Sequence, residues 1–322
     1  MILKPACKLA GMIRLIFRAL GHHARWALPI GVLTGIAFPA LASLMRPLLT
    51  LAVVATMTVT LVRLDWTKLG RRASQPGLPL LMTALQLVLS PLIAWLLSGA
   101  FGMAAAVSIA LILQCAAPPV GSAAAFALMT GIDGERVLIL TVVSTVLLPL
   151  SLTPVVALLL PHSGVTVELL PFFLRVCLLV AAPFVLAAII RRVAGAERIK
   201  RNDDVMSGIN VTILVVFAIA IMDGVTRFLV NDPAQAAWLL ILSFLMAVLL
   251  HLFAYLVFRW YGHENALVAA LSSGNRNMGL MLAVTAGTAG EIASLYFGIA
   301  QIPMYCVPLL LTPLIGTTRA RR

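Results

Sequence analysis

Charged residues are scarce in this sequence, and acidic residues are the scarcest. Only 11% of the 322 residues are charged, with 11 Asp and Glu against 23 Lys and Arg. A soluble domain is usually about a quarter charged. A chain with 62% hydrophobic residues and a mean hydropathy of +1.08 could not cover its apolar surface in water. We therefore expect an integral membrane protein whose main surroundings are the lipid bilayer.

Cysteine is also rare, and its placement excludes two kinds of protein. The four residues Cys7, Cys115, Cys177 and Cys306 are scattered, without the spacing of a disulfide framework or a metal site, so we expect no cofactor and no metal. The net charge of +12 does not indicate nucleic acid binding, because the basic residues lie between apolar segments and not along a groove.

Ten apolar stretches of about the length of a membrane-crossing helix follow one another along the chain. The predicted spans are 27–43, 47–64, 77–99, 102–130, 136–160, 168–190, 205–224, 235–258, 264–287 and 291–316. The expected fold is therefore an all-α integral membrane protein with ten transmembrane helices.

The distribution of basic residues predicts the orientation. Nearly all Lys and Arg fall in segments on one side of the ten spans, and only Arg46 and Arg227 fall in segments on the other. The positive-inside rule then places both termini in the cytoplasm. The membrane that we expect is a bacterial inner (plasma) membrane. Residues 1–26 are expected to form a basic amphipathic cytoplasmic segment, and 317–322 a basic cytoplasmic tail.

An internal repeat divides the spans into two sets of five. The phrase Pro-Leu-x-Leu-Thr-Pro occurs at 149–154 and again, 159 residues later, at 308–313. Because five is odd, the second set enters the membrane from the opposite side, which makes an inverted 5+5 repeat, typical of secondary transporters. The expected domains are a first five-helix repeat at 27–160 and a second at 161–316.

The fourth and ninth spans both contain poor helix formers at matching places. Pro118 and Pro119 interrupt one, and Ser272, Ser273 and Gly274 with the following Asn interrupt the other. Paired interruptions in the two halves of a repeat indicate a transport site. The alternative is a proline kink in one helix and a small-residue packing patch in the other.

Arg276 is the costliest residue to place in a membrane, since a cation at mid-span costs about 3 kcal/mol on insertion scales. No Asp or Glu lies well inside any span. Backbone carbonyls, Gln86, Gln114 or an anionic substrate could therefore be its partner. The substrate-binding residues that we predict around the two interruptions are Arg276, Asn275, Asn277, Ser273, Ser122, Pro118, Pro119 and Thr141.

Several short motifs resemble those of the bile acid:sodium symporter family, within the superfamily of bile acid, auxin and arsenite carriers. They are Gln86 with Pro91-Leu92-Ile93-Ala94-Trp95, Thr141-Val142-Val143-Ser144-Thr145 with Pro149, Leu152-Thr153-Pro154, and Asn277-Met278-Gly279-Leu280. The resemblance implies ten helices divided into a panel and a core domain. It also implies that broken helices 4 and 9 cross in the core and that a small organic acid or oxyanion binds between the domains.

The sequence departs from the family where sodium would bind. The family's ninth helix carries Glu and, four residues later, Gln, and these positions are Ser272 and Arg276 here. The family's Ser-Asn pair falls on Ala123-Ala124, or on Ser122-Ala123 if the alignment shifts by one. The chain therefore looks like a divergent bacterial-type member that lacks most sodium ligands. The remnant of the cation sites comprises Gln86, Ser272, Arg276, Thr141, Ser144 and Thr145.

These observations predict a secondary transporter that moves a small organic anion by alternating access. We expect no sodium at the second of the family's two sodium sites, the one to which Gln86 and Arg276 would belong. A sodium-coupled symporter with altered sites, a channel, and a membrane sensor with the same fold are the alternatives, and a sensor would be expected to bring an output domain. We do not expect an enzyme, because no acid lies well inside a span and His251 has no evident nucleophile at a matching depth. Substrate identity, coupling ion, transport direction and oligomeric state are left open.

Overall fold

The structure is a computed structural model, and it describes residues 24–66, 70, 77–161, 167–286, 288–304 and 306. Within these residues every regular element is a helix, and the only strand-type pairing is an isolated antiparallel bridge between Pro119 and Arg276. Nearly all of the predicted N-terminal basic segment lies outside the described residues. So do the basic tail at 317–322 and the second copy of the repeated phrase at 308–313.

One compact unit comprises Met1–Asp65 and Ala181–Asp223. Its described helices are α1 (Ala24–Ala37), α2 (Pro39–Met45), α3 (Leu49–Arg63), the second half of α9 (Leu169–Ala194), α10 (Ala196–Arg201) and α11 (Asp203–Ala220). A single 3₁₀ turn, Arg46–Leu48, joins α2 to α3. Helix α11 is central to this unit, because it packs against α1, α2 and α3.

Close packing in this unit depends on two glycines of α1, spaced four residues apart. A Cβ atom added at Gly31 would lie 2.9 Å from the Cβ of Ala218, and one added at Gly35 would lie 2.8 Å from the Cβ of Met222. The arrangement Gly-x-x-x-Gly is the small-residue pattern that lets the backbones of membrane helices approach closely.

The second compact unit comprises Trp66–Val180 and Gly224–Arg322. Its described helices are α4 (Gly77–Ala84), α5 (Ser90–Ala100), α6 (Ala105–Ala116), α7 (Ala123–Met129), α8 (Gly134–Leu159), the first half of α9, α12 (Val225–Asn231), α13 (Pro233–Phe258), α14 (His263–Gly274), α15 (Met278–Val284) and α16 (Gly290–Ile299). A π-helical turn, Leu85–Leu89, joins α4 to α5, and a 3₁₀ turn, Arg259–Tyr261, follows α13. The main packed pairs are α13 with α14, α5 with α6, and α6 with α16.

Six continuous helical stretches among the described residues are long and apolar enough to cross a membrane. They are Pro39–Arg63, Gly77–Ala100, Gly134–Leu159, Leu169–Ala194, Asp203–Asn231 and Pro233–Tyr261. Large apolar side chains on them are exposed, for example Leu178 at 67% and Ile241 at 60%, as expected of helices that face lipid. The protein is therefore an all-helical integral membrane protein.

The predicted fourth and ninth spans are not continuous helices. The fourth is divided into α6 and α7, and the ninth into α14 and α15. Both spans are thus interrupted as predicted, but Ser272, Ser273 and Gly274 are still helical and the second break lies at residues 275–277. The two compact units each take helices from both predicted five-helix repeats, so the repeats are a correspondence along the sequence and not the packing units. The inverted repeat and the count of ten spans stay predictions.

Candidate functional site

The interruption of the fourth span follows from two consecutive prolines. Helix α6 ends at Ala116, and Ala117 is extended, with φ −68° and ψ 143°. A residue that precedes proline is disfavoured in the helical region, and Pro118 and Pro119 have no N–H to continue the hydrogen-bond ladder. The chain returns to helix only at Ala123.

The interruption of the ninth span has a different local cause. Helix α14 ends at Gly274, and Asn275 adopts φ −104° and ψ 78°. The next helix begins after Asn277, whose side-chain oxygen accepts a hydrogen bond from the N–H of Leu280 at 3.0 Å. Asparagine is among the strongest helix-capping residues, so Asn277 starts α15 as its N-cap.

The two interruptions hydrogen-bond to each other through their backbones. The N–H of Asn277 donates to the carbonyl of Pro118 at 2.8 Å, and the N–H of Val120 donates to the carbonyl of Asn275 at 2.9 Å. These bonds satisfy polar groups that would otherwise be buried without a partner. We call residues 117–122 together with 275–277 the crossing.

The side chain of Arg276 lies inside the crossing and is 1% exposed. Its Nε donates to the carbonyl of Ser273 at 2.6 Å, and its Nη1 donates to the carbonyl of Ala117 at 2.7 Å. Two longer bonds run to the third span, from Nη1 to the carbonyl of Gln86 at 3.2 Å and from Nη2 to the hydroxyl of Ser90 at 3.3 Å. Four oxygen atoms from three spans therefore surround one guanidinium.

The Gln86 carbonyl can accept this bond because of the π-helical turn. The N–H of Ser90 bonds to the carbonyl of Leu85, five residues earlier, instead of to Gln86. Pro91 has no N–H to offer in its place. The carbonyl of Gln86 thus accepts no hydrogen bond from position 90 or position 91 of its own helix, and Arg276 donates to it instead. Single π turns of this kind are frequent at functional sites.

No carboxylate among the described residues forms an ion pair with Arg276. A guanidinium has five N–H groups, and the four bonds above leave one N–H of Nη2 without an acceptor in the described part of the chain. A buried donor without a partner is costly, so this N–H has the capacity to donate to one further acceptor.

Further polar atoms near the crossing are buried without hydrogen-bond partners among the described residues. They are the hydroxyls of Ser272 and Ser273, the side-chain oxygen of Asn275 and the side-chain nitrogen of Gln86. Each of these four residues is at most 1% exposed. Native proteins leave few such groups, and a cluster of them indicates a place for a ligand, an ion or water.

An apolar cavity of about 250 Å³ adjoins this site, between α5, α6 and α13. Ser90, which touches Arg276, and Cys115 lie on its wall, and the remaining lining residues are almost all apolar. The group of atoms that binds the Arg276 guanidinium therefore lies beside a cavity that an apolar group could fill.

The other predicted site residues have partners of their own. The hydroxyls of Thr141 and Thr145 bond to backbone carbonyls one turn earlier in α8, at 2.9 Å and 2.7 Å. The hydroxyl of Ser144 donates to the side-chain oxygen of Gln86 at 3.3 Å. Ser122 precedes α7 and makes no side-chain capping bond. Gln114, a candidate partner for Arg276, instead accepts a hydrogen bond from the hydroxyl of Tyr296.

Sequence reasoning expected backbone carbonyls as partners of Arg276 without identifying Ala117, and it missed the hydroxyl of Ser90. For Ser90 the available signal was the Ser-Pro pair in the middle of a span, because a proline there deprives earlier carbonyls of a donor. For Ala117 the signal was the repeat itself, since Arg276 follows Ala117 by the same 159 residues that separate the repeated phrases.

Comparison with known families matches residues 47–231 to the Sodium Bile acid symporter family. The match covers more than half of the chain. No curated protein matches the chain.

Proposed function

From the premise that this chain belongs to the sodium bile acid symporter family, and is thus a membrane transporter of that type, we propose that it carries a small organic anion by alternating access. In this proposal the second cation site holds no sodium. The observation that carries the proposal is the buried guanidinium of Arg276 among four oxygen atoms.

The surroundings of Arg276 support a role as a built-in cation. Three backbone carbonyls and one hydroxyl are oxygen ligands of the type that hard cations prefer. Repulsion between the guanidinium and an ion about 4 Å away would be roughly 4 kcal/mol at an effective dielectric constant near 20, enough to exclude sodium. The resemblance places a sodium-binding glutamine at this position, so the arginine would do permanently what sodium does reversibly: hold the crossing together.

Three features support an organic anion as the substrate. Arg276 has an N–H without an acceptor among the described residues, and no described carboxylate neutralises its charge. The partnerless polar atoms of Ser273 and Asn275 lie in the neighbouring positions of the chain. The apolar cavity beside Ser90 offers room for a non-polar part of the same molecule. The expected substrate class is a carboxylate with a compact apolar body.

The backbone pairing at the crossing supports the inverted 5+5 repeat. In the antiparallel pairing, Asn277 lies opposite Pro118, and these two residues are separated by the 159 positions of the repeat. When two antiparallel segments are related by a two-fold axis that passes between them, equivalent residues lie opposite each other across that axis. The offset derived from the repeated phrases at 149–154 and 308–313 predicts this same pair.

The remaining features of the proposal follow from the charge distribution. Ten membrane spans, both termini in the cytoplasm and a bacterial inner membrane would place nearly all Lys and Arg on the inner side. The partnerless hydroxyls of Ser272 and Ser273 favour one alternative, a sodium-coupled symporter with an altered first cation site.

The substrate can be found with a thermal-shift screen of organic acids on the purified protein, with sodium chloride or choline chloride as the salt. We expect at least one monocarboxylate to raise the melting temperature equally in both salts. Neutral amides of the same acids serve as controls, because they keep the shape and lose the charge.

Transport is then measured with the best radiolabelled acid in proteoliposomes. We expect saturable uptake in sodium-free buffer. Uptake that collapses without sodium and returns with it would contradict the proposal and favour the sodium-coupled alternative. Uptake that does not saturate would indicate a channel.

A further inference from the structure

A histidine in the middle of the eighth span contacts the crossing directly. His251 lies on α13 and is 6% exposed. Its Nε2 lies 3.3 Å from the side-chain nitrogen of Asn275, and its Nδ1 lies 2.7 Å from the carbonyl of Ala247. A Cβ atom at Gly274 would lie 1.8 Å from the imidazole, so this ring needs glycine at the end of α14.

The two hydrogen bonds define the proton on the ring. The carbonyl of Ala247 can only accept, so Nδ1 carries a hydrogen atom and donates it. The side-chain nitrogen of Asn275 can only donate, so Nε2 must accept and carries none. The orientation of the Asn275 amide is determined by Leu271, whose carbonyl accepts from the same nitrogen at 2.8 Å. The hydrogen-bond pattern is therefore that of a neutral ring protonated on Nδ1.

The same residues can also satisfy a protonated ring. A proton on Nε2 would face the amide nitrogen of Asn275, and a half-turn of the amide would present its oxygen instead. That oxygen is buried and has no partner in the described structure, so it is free to accept the bond. After the turn this oxygen would stand where the side-chain nitrogen now lies, 2.8 Å from the carbonyl of Leu271, and because two acceptors repel, the side chain must also move away from that carbonyl. The carbonyl of Leu271 keeps one donor, the backbone N–H of Asn275 at 3.2 Å.

We propose that His251 and Asn275 form a proton-binding site, so that the proton takes the coupling role that sodium has in the family. The significance of this site for transport rests on the proposed function. Protonation would turn the Asn275 side chain, and the backbone carbonyl of the same residue holds Val120 across the crossing at 2.9 Å. The charge state of His251 thus acts on the hydrogen bonds that join the two interrupted spans.

Arg276 links this site to the anion. It directly follows Asn275, the residue that contacts His251. Its positive charge repels a proton on His251, and an anion bound to Arg276 would relieve that repulsion. Because coupling between two sites is reciprocal, a bound proton would equally favour the anion. This arrangement predicts symport of a proton with the anion.

Four other titratable groups on the elements around His251 are either buried or bonded to other residues. Cys115 on α6 and Tyr296 on α16 are buried, and the Tyr296 hydroxyl bonds to Gln114. Tyr255, one turn further along α13, bonds to His263. Glu264 follows His263 at the start of α14, and its Oε2 lies 3.9 Å from the Nη1 of Arg136.

The test is a titration of His251 by NMR. The chain has five histidines, so replacing His22, His23, His162 and His263 with Gln leaves a full-length protein in which ¹⁵N-histidine reports His251 alone. At pH 8 we expect a neutral ring protonated on Nδ1. On acidification we expect reversible protonation of Nε2 while the protein stays folded, as checked by size-exclusion chromatography.

Two variants of Asn275 test whether its side-chain amide controls the proton affinity of His251. Asn275→Leu has a similar size but cannot accept a hydrogen bond, and we expect it to lower the proton affinity of His251 at least tenfold. Asn275→Asp supplies an acceptor with a negative charge and should raise that affinity at least tenfold. A tautomer protonated on Nε2 at pH 8 would overturn the proposal. So would a ring that stays neutral down to pH 4.5, or a titration that neither variant shifts.

This titration uses no transported solute, so its result is separate from that of the uptake assay. A ring that does not titrate overturns the proton site even where uptake is intact. An absence of carrier-mediated uptake for every acid in the screen overturns the proposed function, even where His251 titrates as expected.

Discussion

At the scale of the residue, Arg276 is the group on which the site depends. It is the largest fully buried side chain among the described residues, and its charge is compensated by backbone dipoles instead of a carboxylate. Removal of a buried partner leaves its acceptors without donors, at about 1–3 kcal/mol each. The guanidinium therefore stabilises the crossing by linking three spans at one point.

Arg276→Gln should consequently destabilise the protein and abolish transport. Two or more carbonyls would lose their donor, and we expect the free energy of unfolding to fall by about 3 kcal/mol. Thermal unfolding and uptake measure the two effects. Arg175→Gln is the matched control, because Arg175 also lies in an apolar helix and donates to a carbonyl, that of Ala286, but from an exposed position. Equal losses in both variants would contradict a special role for Arg276.

The built-in cation makes a second prediction at the same scale. The double variant Ser272→Glu with Arg276→Gln restores the pair of residues that the resemblance assigns to sodium binding. Sodium at ten times its Kd should then stabilise the variant by about 1.4 kcal/mol, while leaving the original protein unchanged. The measurement compares the melting temperatures of the double variant and the original protein in sodium chloride and in choline chloride. If sodium stabilises both proteins equally, the arginine does not occupy a cation site.

At the scale of the element, proline determines where the third and fourth spans depart from regular helix. Pro118 and Pro119 end α6, and Pro91 leaves the carbonyl of Gln86 to be bound by another span. In both places the proline leaves a nearby carbonyl outside the regular helical hydrogen bonding, and Arg276 donates to that carbonyl. Helix irregularity and site geometry therefore have the same cause.

Pro91→Ala tests this connection. The new N–H at position 91 could bond to carbonyls of its own helix, so the π turn is expected to relax towards an α-helix and withdraw the Gln86 carbonyl from Arg276. We expect uptake to fall at least tenfold while the melting temperature stays equal or rises. Pro183→Ala, a proline within α9, is the control and should leave uptake unchanged. Unchanged uptake for Pro91→Ala would show that the turn is not needed.

The contact between α1 and α11 is a second feature at this scale. Gly35→Leu would force a side chain into the backbone carbonyl of Ile219 and the side chain of Met222. Overpacking of this kind costs about 1–3 kcal/mol, so we expect a lower melting temperature. Gly99→Leu is the matched control, since a Cβ at that helical glycine meets no atom within 4 Å. A similar melting temperature for both variants would contradict the close packing.

At the scale of the whole molecule, the distribution of positive charge predicts the topology. Ten spans with cytoplasmic ends place the segments near Gly102 and Ser163 outside, and those near Gly70 and Gly195 inside. Fusions of alkaline phosphatase, which is active only outside the cytoplasm, should be active after Gly102 and Ser163 and inactive after Gly70 and Gly195. The reverse pattern at any site after the second span would contradict the predicted number of spans.

The sequence alone was sufficient for the membrane environment and the helical class, because apolar length and charge are properties of the chain that need no folded partner. It was also sufficient for the two interruptions, since the Pro118-Pro119 pair and the run from Ser272 to Asn275 are poor helix formers wherever they stand. It identified Arg276 as anomalous, since a cation within an apolar stretch is costly in any arrangement.

Only the tertiary structure decided which groups satisfy that cation. The carbonyls of Gln86 and Ala117 are 190 and 159 residues away from Arg276, and every residue has a carbonyl, so composition could not distinguish them. The pairing of His251 with Asn275 is equally a matter of tertiary packing, because a histidine in an apolar helix can bond in many ways. Local chemistry determines where a helix must break, whereas the identity of the partner depends on which distant backbone the fold brings to the break.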